Sequence, residues 1–196
     1  MEGLSIPVDK NAKGLIFDCD GTLADTMGFH MEAWHEAFSI FGKTCPEAFL
    51  EPLKGMKEKN IIELFNEKFQ DNVDCKKFLR EKHDRFRSKL KEVKPIEPVV
   101  EIVKIFQKKL PMAVVSGGTR INVLLTLEAI GLDEVFDVIL TADDHVKPKP
   151  APDILIEAAW QLKLHPADCQ VFEDGEFGLK AARDAGMIVT DIRLYL

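Results

Sequence analysis

The sequence predicts an α/β protein with a doubly wound, Rossmann-like parallel sheet and a helical insertion. From residue 98 to the end of the 196-residue chain, short apolar runs alternate with helical patterns. Such alternation is typical of parallel sheets covered by helices on both faces. An apolar run at residues 14–18 predicts a first strand, and no pattern between residues 26 and 94 indicates another. We therefore expect the helical stretch to be inserted directly after the first strand.

The helical stretch contains three periodic patterns of apolar residues. The first runs from Phe29 to Phe41 in steps of three and four residues and ends at Gly42, as expected for a helix with one buried face. Similar spacing predicts two more helices, over residues 60–69 and 76–90. We expect the phenylalanines of these helices to pack against one another.

Prolines mark the return from the helical stretch to the alternating part. Two of them lie within residues 94–98, and proline interrupts a helix and restricts the residue before it. We expect a hinge there. The prediction is an α/β core of residues 13–26 and 95–196 with a helical cap of residues 27–94, preceded by a polar, poorly patterned arm at residues 1–12.

Beyond the hinge, strand and helix patterns follow one another. Parallel strands joined in this way require crossover connections, which the helical patterns supply. The predicted helices span residues 99–109, 120–130, 152–162 and 177–185, and the predicted strands span residues 112–116, 138–141, 170–173 and 188–191.

Composition argues against several classes of protein. The formal net charge of −7 argues against nucleic acid as the main partner. No window approaches the roughly 20 apolar residues of a membrane span, and no basic start precedes a long apolar stretch, so we expect neither a membrane segment nor a signal peptide. The four cysteines lack the paired spacing of a zinc or redox site. We expect a cytoplasmic monomer with reduced thiols.

Two carboxylates follow the first strand directly. Asp18 and Asp20 are two residues apart, so on an extended chain their side chains point the same way. Ligands of parallel sheets bind at the carboxyl ends of the strands. Such a pair can hold a hard divalent cation, and one member can act as a nucleophile while the other moves protons. Alone, the pair is equally typical of a solvated turn.

Two further polar clusters stand at or beyond strand ends. Ser116 ends the second predicted strand, and Gly117 and Gly118 allow backbone amides to approach an anion at the start of the next helix. Lys149 lies in a proline-rich loop after the third strand, which suits a charge meant for a phosphate and for the nucleophile beside it. Lys147 is the alternative in the same loop, and a serine before a helix is also a common cap.

The fourth predicted strand ends in Glu173 and Asp174. Two adjacent carboxylates at the end of an apolar strand repel each other unless a positive charge offsets them, and Mg²⁺ would supply that charge. With the first acidic pair, the serine and the lysine, they make up the groups of a metal-assisted phosphoryl-transfer site.

With these residues in this order, the chain resembles the haloacid-dehalogenase superfamily of phosphohydrolases with a helical cap. The resemblance covers residues 14–191, and it is strongest to the β-phosphoglucomutase-like subgroup, in particular to its small bacterial fructose-1-phosphate phosphatases. The motifs that carry it are Asp-x-Asp-Gly-Thr-Leu-x-Asp-Thr from Asp18, Lys-Pro-Ala-Pro-Asp from Lys149, Glu-Asp-x-x-x-Gly-x-x-Ala-Ala from Glu173 and Asp-Ile-Arg-Leu from Asp191.

The resemblance implies a strand order and a role for each residue. The first strand would lie between the second and the fourth. Asp18 would attack phosphorus in line to form an aspartyl phosphate, while Asp20 would protonate the leaving sugar oxygen and then activate water. Ser116 and Lys149 would hold the phosphoryl oxygens. The implied ligands of Mg²⁺ are Asp18, the backbone carbonyl of Asp20, Glu173 and Asp174.

The chain departs from the mutase pattern in the cap. Glu58, in the turn at residues 55–59, stands where the mutase has the arginine that grips the distal phosphate. A carboxylate would repel that phosphate, and Lys57 or Lys59 would replace only part of an arginine's bidentate contact. His30 and Lys82 match cap positions with which the mutase excludes water until its sugar is bound. The candidate substrate-binding residues are therefore His30, Lys57, Lys82, Gly117 and Gly118.

The resemblance thus implies a Mg²⁺-dependent phosphatase of a small phosphorylated sugar, with fructose 1-phosphate or another hexose phosphate favoured. The main alternative is a β-phosphoglucomutase, which shares every core residue. The absence of a Lys-Asn pair after Ser116 and the carboxylate of Glu58 favour hydrolysis. Inorganic pyrophosphatase activity is a further alternative. A receiver-like signalling module phosphorylated on Asp18 would leave the helical insertion unexplained.

Overall fold

A computed structural model describes residues 5–53 and 56–196 of the chain. The strands are β1 (Gly14–Phe17), β2 (Met112–Val115), β3 (Val138–Leu140), β4 (Cys169–Glu173) and β5 (Ile188–Asp191). They form one parallel sheet in the order β3-β2-β1-β4-β5. The apolar runs of these strands fit a sheet that is covered on both faces. The predicted fold class is confirmed.

The central strand, β1, lies between β2 and β4, as the resemblance implied. Phe17 pairs with Val114 on one side and with Phe172 on the other, so the three strands end at nearly the same level. The residues that follow them therefore share one edge of the sheet, where ligands of such sheets bind.

Helices pack on both faces of the sheet. Because side chains alternate along a strand, Phe17 joins one apolar cluster with Val103 and Leu127, and Ile16 joins a second with Leu155 and Ala182. The helices are α1 (Met27–Ile40), α2 (Glu47–Leu50), α3 (Glu58–Phe69), α4 (Cys75–Ser88), α5 (Glu97–Phe106), α6 (Arg120–Ala129), α7 (Asp153–Gln161) and α8 (Glu176–Asp184). Short 3₁₀ turns cover Glu51–Leu53, Leu90–Glu92, Pro166–Asp168 and Ile192–Leu194.

The described elements between β1 and α5 are all helical and have an apolar core of their own. Phe38 lies at its centre, with ring centroids 4.4 Å from Phe65 and 4.5 Å from Phe78. This cluster is separate from the two that cover the sheet. The domain boundaries expected near residues 26 and 94 stay a prediction.

The hinge expected at residues 94–98 is shorter than predicted, because its second proline already belongs to a helix. Helix α5 begins at Glu97 and contains Pro98 in its first turn, where the missing N–H has no partner to lose within the helix. The helix also ends three residues earlier than predicted, at Phe106, and Lys108 adopts a positive φ of 65°. Helix α2 was not predicted, because four residues are too few to show a period.

The arm before β1 is better packed than its sequence suggests. Ile6 is fully buried in the cluster around Phe17. Gln170 of β4 accepts a hydrogen bond from the Asp9 backbone N–H at 2.8 Å and donates to the Pro7 carbonyl at 3.0 Å. A single apolar residue carries no periodic signal, so the sequence could not show this contact.

Three other expectations can be placed. Residues 1–4 of the arm and residues 54–55 of the turn before α3 lie outside the described residues. Among those described, no helix has the length and apolar character needed to cross a bilayer. The four cysteines are free thiols.

Candidate active site

Asp18 stands at the end of β1 and continues the hydrogen bonding of the sheet. Its backbone N–H donates to the Phe172 carbonyl at 3.0 Å, which fixes the backbone from which the carboxylate projects. Burial raises the pKa of Asp18 well above its usual value, and the neighbouring carboxylates of Glu173 and Asp174 raise it further, whereas Lys149 opposes them. Asp18 is thus held among negative charges with one cation beside it.

Lys149, in the loop between β3 and α7, supplies that cation. Its Nζ donates to Asp18 Oδ1 at 2.8 Å, to Glu173 Oε1 at 2.7 Å and to the Val115 carbonyl at 2.9 Å. Burial lowers the pKa of Lys149, but the two carboxylates outweigh it and raise the pKa above its usual value. The structure places Lys149, and not the exposed Lys147, beside Asp18.

Glu173, the last residue of β4, is fixed through both oxygens. Oε2 accepts from the backbone N–H of Gly175 at 2.6 Å, while Oε1 accepts from Lys149. A Cβ at position 178 would lie 1.7 Å from Glu173 Oε1. The glycine of the Glu-Asp-x-x-x-Gly motif therefore provides the space that this carboxylate occupies.

Asp174 follows Glu173 and is held by the turn after β1. Its Oδ1 accepts from Thr22 Oγ1 at 2.8 Å, and a Cβ on Gly21 would lie 2.3 Å from Oδ2. Gly21 also has a φ of +86°, which favours glycine. Burial, followed by the charge of Glu173, raises the pKa of Asp174 to about 6.

Three of these carboxylates form a candidate metal centre. Asp18, Glu173 and Asp174 each offer an oxygen, and these atoms all lie within 4.8 Å of one another. Anionic oxygen donors are the ligands that Mg²⁺ prefers. When all three are ionised, Lys149 compensates one negative charge. Two negative charges remain, which a divalent cation would balance. The residues present therefore fit Mg²⁺; the Asp20 carboxylate lies outside this group, and its backbone carbonyl stays a predicted ligand.

The carboxylate of Asp20 is hydrogen-bonded through one of its two oxygens, Oδ1. Oδ1 accepts from Thr26 Oγ1 at 2.8 Å and is 3.0 Å from His30 Nε2. Burial raises the pKa of Asp20, but His30 and Thr26 lower it more, so that it lies below its usual value. Among the described residues none hydrogen-bonds Oδ2, and a Cβ on Gly118 would lie 3.5 Å from it. Asp20 thus presents Oδ2 toward the loop that follows β2.

That loop begins at Ser116, which is almost fully buried. Ser116 Oγ accepts from the Gly118 N–H at 3.0 Å, which leaves the hydroxyl hydrogen free to donate. Gly117 and Gly118 border the same cavity. The amide of Gly118 thus points at the serine, and the binding of an anion by these two glycines stays a prediction.

On the helical side, a chain of hydrogen bonds leads to Asp20. Lys82 Nζ donates to Glu58 Oε1 and to His30 Nδ1, the latter at 2.8 Å. His83 Nε2 lies 2.6 Å from Glu58 Oε2. Because an ammonium group only donates, His30 Nδ1 accepts, and the Nε2–H of a neutral imidazole donates to Asp20. Lys82 therefore fixes the tautomer of His30.

One cavity brings the two sides together. Its lining includes Asp18, Asp20, Ser116, Gly117, Gly118, Glu173 and Asp174 from the core, and His30, Trp34, Glu58 and Lys82 from the helical stretch. Lys149 lies beneath the carboxylates. Lys57 is placed differently: its Nζ donates to the backbone carbonyl of Ala142 at 3.1 Å, and it is not among the described lining residues. Its role in substrate binding stays a prediction.

Three contacts of the site were not predicted from the sequence. Thr22 and Thr26 belong to the first motif, but a threonine in a turn or before a helix is usually a local cap. His83 follows Lys82 in a strongly charged helix, and nothing in its surroundings distinguishes it. Thr22 and His83 reach Asp174 and Glu58 only through tertiary structure, whereas Thr26 reaches Asp20 within the segment that follows β1.

Comparisons with known proteins identify the family of this chain. The family model described as haloacid dehalogenase-like hydrolase matches residues 15–192. The chain is 39% identical to the fructose-1-phosphate phosphatase YqaB of Escherichia coli over 92% of this chain and 96% of that protein. It is 26% identical to the β-phosphoglucomutase of Bacillus subtilis, over 92% and 83% respectively.

A solved structure adds a likeness in three dimensions. The crystal structure of CbbY from Rhodobacter sphaeroides in complex with phosphate superposes with a TM-score of 0.80 at 27% identity, over 91% of this chain and 86% of that one. The family match spans the strands, the loops and the helical stretch that build the cavity. The protein therefore belongs to the haloacid dehalogenase-like hydrolase family.

Proposed function

We propose that this protein is a Mg²⁺-dependent phosphatase that hydrolyses a small phosphorylated sugar through an aspartyl-phosphate intermediate. The contact that best supports this is the bond between Lys149 and Asp18 at the floor of a cavity shared with Asp20. The family match and the phosphatase relative make the protein a phosphoric monoester hydrolase. Fructose 1-phosphate is the favoured substrate, because it is the substrate named for YqaB.

In the proposed first step, Asp18 forms the new bond to phosphorus. Lys149 holds Oδ1 and leaves Oδ2 for that bond. The ester bond breaks, and its oxygen leaves with a proton from Asp20 Oδ2. A phosphate dianion near Asp20 favours the protonated form of this carboxyl, which offsets the opposite effect of His30. In the second step water attacks phosphorus and gives its proton to Asp20 as the bond to Asp18 breaks.

The remaining core residues position the phosphoryl group. The free hydroxyl hydrogen of Ser116 and the amide of Gly117 can donate to its oxygens. Mg²⁺, held by Asp18, Glu173 and Asp174, would neutralise charge on the phosphoryl oxygens. Positioning and charge neutralisation account for most of phosphoryl-transfer catalysis, and these residues supply both.

Residues 27–94 act as a cap in this proposal. The cavity has a volume of about 90 Å³, well below the roughly 300 Å³ of ordinary small-molecule sites. We infer that a sugar phosphate enters as the helical stretch moves away from the core. Closure restores the bonds of Lys57 to Ala142 and of His30 to Asp20, and it excludes bulk water during phosphoryl transfer.

A β-phosphoglucomutase is the second candidate, favoured by the His30–Lys82 pair and by the relative from Bacillus subtilis. The test is β-glucose 1-phosphate with a trace of the 1,6-bisphosphate. We expect inorganic phosphate to form faster than glucose 6-phosphate. Catalytic formation of glucose 6-phosphate without net phosphate release would make the mutase the correct assignment.

The direct test of the proposal is a phosphate-release screen over sugar phosphates, nucleotides and pyrophosphate, with Mg²⁺ and with a chelator. Sugar phosphates should be hydrolysed fastest, and the chelator should abolish turnover. Hydrolysis of none of these compounds would refute the proposal. A clear preference for pyrophosphate would assign the protein as a pyrophosphatase instead.

A further inference from the structure

Glu58 places a carboxylate on the helical side of the cavity. It is the first residue of α3 and lines the cavity near Trp34 and Ile61. Both of its oxygens are engaged, Oε1 by Lys82 and Oε2 by His83 at 2.6 Å. Its side chain keeps 14% of its surface exposed, so the carboxylate is fixed in place on a side chain that is still partly accessible.

This carboxylate is ionised at neutral pH. Burial raises the pKa of Glu58, but Lys82 and His83 outweigh it and hold the pKa well below its usual value. The first turn of a helix also favours a negative charge, because the helix dipole is positive there. A fixed negative charge therefore borders the cavity on its helical side.

The cation beside Glu58 is not available to a second anion. Lys82 is 1% exposed, donates to Glu58 and His30, and lies 5.5 Å over the ring of Trp34. In the described ranges no other lysine or arginine lines this cavity. An anionic group that arrived here would meet the charge of Glu58, with the only lining ammonium already paired.

We propose that Glu58 restricts the site to phosphate monoesters whose remote end is neutral and hydroxylated, and that it rejects esters with a second phosphate there. This inference rests on the proposed phosphatase function. Carboxylate oxygens that accept one hydrogen bond keep lone pairs for a sugar hydroxyl. A phosphate dianion at the same place loses its hydration and faces a like charge.

The test compares two substrates that differ only at the remote end, fructose 1-phosphate and fructose 1,6-bisphosphate. Whichever phosphate of the bisphosphate is released first, the other lies at the remote end. For the unaltered protein we expect kcat/KM to favour the monophosphate by at least about tenfold, since like charges brought together discriminate strongly. Turnover of p-nitrophenyl phosphate reports on the core chemistry alone.

Substitution at position 58 should change the ratio of the two kcat/KM values. Glu58→Gln keeps the shape of the side chain, removes its charge and frees Lys82. The ratio of kcat/KM that favours the monophosphate should therefore fall by about tenfold or more. Glu58→Asp keeps the charge and should keep the preference. Glu63→Gln is the matched control, because Glu63 is an exposed residue of the same helix whose ion pair among the described residues is with Lys59.

The outcomes separate this inference from the function on which it rests. If the unaltered protein hydrolyses neither sugar ester nor p-nitrophenyl phosphate, the phosphatase assignment fails. If it hydrolyses both sugar esters equally, or if Glu58→Gln keeps the original ratio, the role of Glu58 is wrong and the phosphatase assignment stands. Should Glu58→Gln not fold, as judged by circular dichroism, the double variant Glu58→Gln, Lys82→Met removes the pair as a unit. The repelling charge is then gone but no ammonium is freed, so the preference for the monophosphate must still narrow, by less than in the single variant, and an unchanged ratio there refutes the role of Glu58.

Discussion

Two lysines are buried among the residues that the structure describes, one in each region that borders the cavity. Lys149 of the α/β core is 5% exposed, and Lys82 of the helical stretch is 1% exposed. Each ammonium bridges two side-chain acceptors, Asp18 and Glu173 in the core, and Glu58 and His30 in the helical stretch. In the core, Lys149 thus positions the side chains proposed to carry out phosphoryl transfer. In the helical stretch, Lys82 positions the side chain proposed to select the substrate.

The two lysines differ in what holds their partners. The partners of Lys149 stand at the ends of β1, β2 and β4 and include a backbone carbonyl, so the sheet fixes them. The partners of Lys82 are side chains of α1 and α3, and Lys82 itself lies on α4. The network around Lys82 consists of side chains alone. We therefore expect the effects of substitutions in it to be harder to predict than those of substitutions around Lys149.

The largest expected effect tests the core region. Asp18→Asn should lower turnover by several orders of magnitude while the fold is kept, because an amide of nearly the same shape does not attack phosphorus. Phosphate release and circular dichroism measure the two quantities. Turnover near that of the unaltered protein would remove Asp18 from the proposed role of nucleophile.

Asp20 connects the two regions, since it belongs to the core and is held by His30. Asp20→Asn should be severe for a sugar phosphate but much milder for p-nitrophenyl phosphate, whose leaving group needs no proton. The measurement is kcat for both substrates. An equal loss on both would contradict the role as acid and would indicate a structural or metal-binding one.

The core of this site could be predicted from the sequence and the helical side only in part, for a physical reason. Asp18, Ser116 and Glu173 each follow or end a strand, and strand order brings strand ends together. A local motif therefore specified a tertiary arrangement. The link from Glu58 through Lys82 to His30 joins three helices whose relative placement no local pattern specifies, so resemblance supplied His30 and Lys82, and His83 was missed.

A third prediction concerns the space around Glu173. Gly178→Ala puts a Cβ where the Glu173 carboxylate lies, so Glu173 must move and release Lys149. We expect a loss of about 10- to 100-fold in kcat, as for other residues that support a metal site. Gly28→Ala, at a helical position with open space around it, is the matched control and should leave kcat unchanged. Equal kcat in both variants would show that Glu173 needs no such space.

A fourth prediction uses the raised pKa of Asp174, about 6. Without metal, the folded protein favours the protonated carboxyl of Asp174. The contribution of this protonated group to the free energy of unfolding is present at low pH and is lost as the pH rises through 6. Mg²⁺ should therefore raise Tm more at about pH 7.5 than at about pH 5, where it competes with the proton. Asp174→Asn should remove most of that Mg²⁺ effect, and the same Mg²⁺ response in the variant would contradict the assignment.

The smallest expected effect tests the contact between the two regions. Lys57→Met removes the hydrogen bond to the Ala142 carbonyl. One such bond stabilises the closed cap by about 0.5–1.5 kcal/mol, so its loss shifts the equilibrium roughly two- to tenfold toward the open cap. We expect kcat/KM for the sugar phosphate to fall by that factor with kcat little changed. Lys59→Met, which removes an exposed ion pair with Glu63 on the same helix, is the control. Identical kcat/KM in the two variants would show that Lys57 does not hold the cap closed, and a loss far above tenfold would instead support direct contact between Lys57 and the substrate.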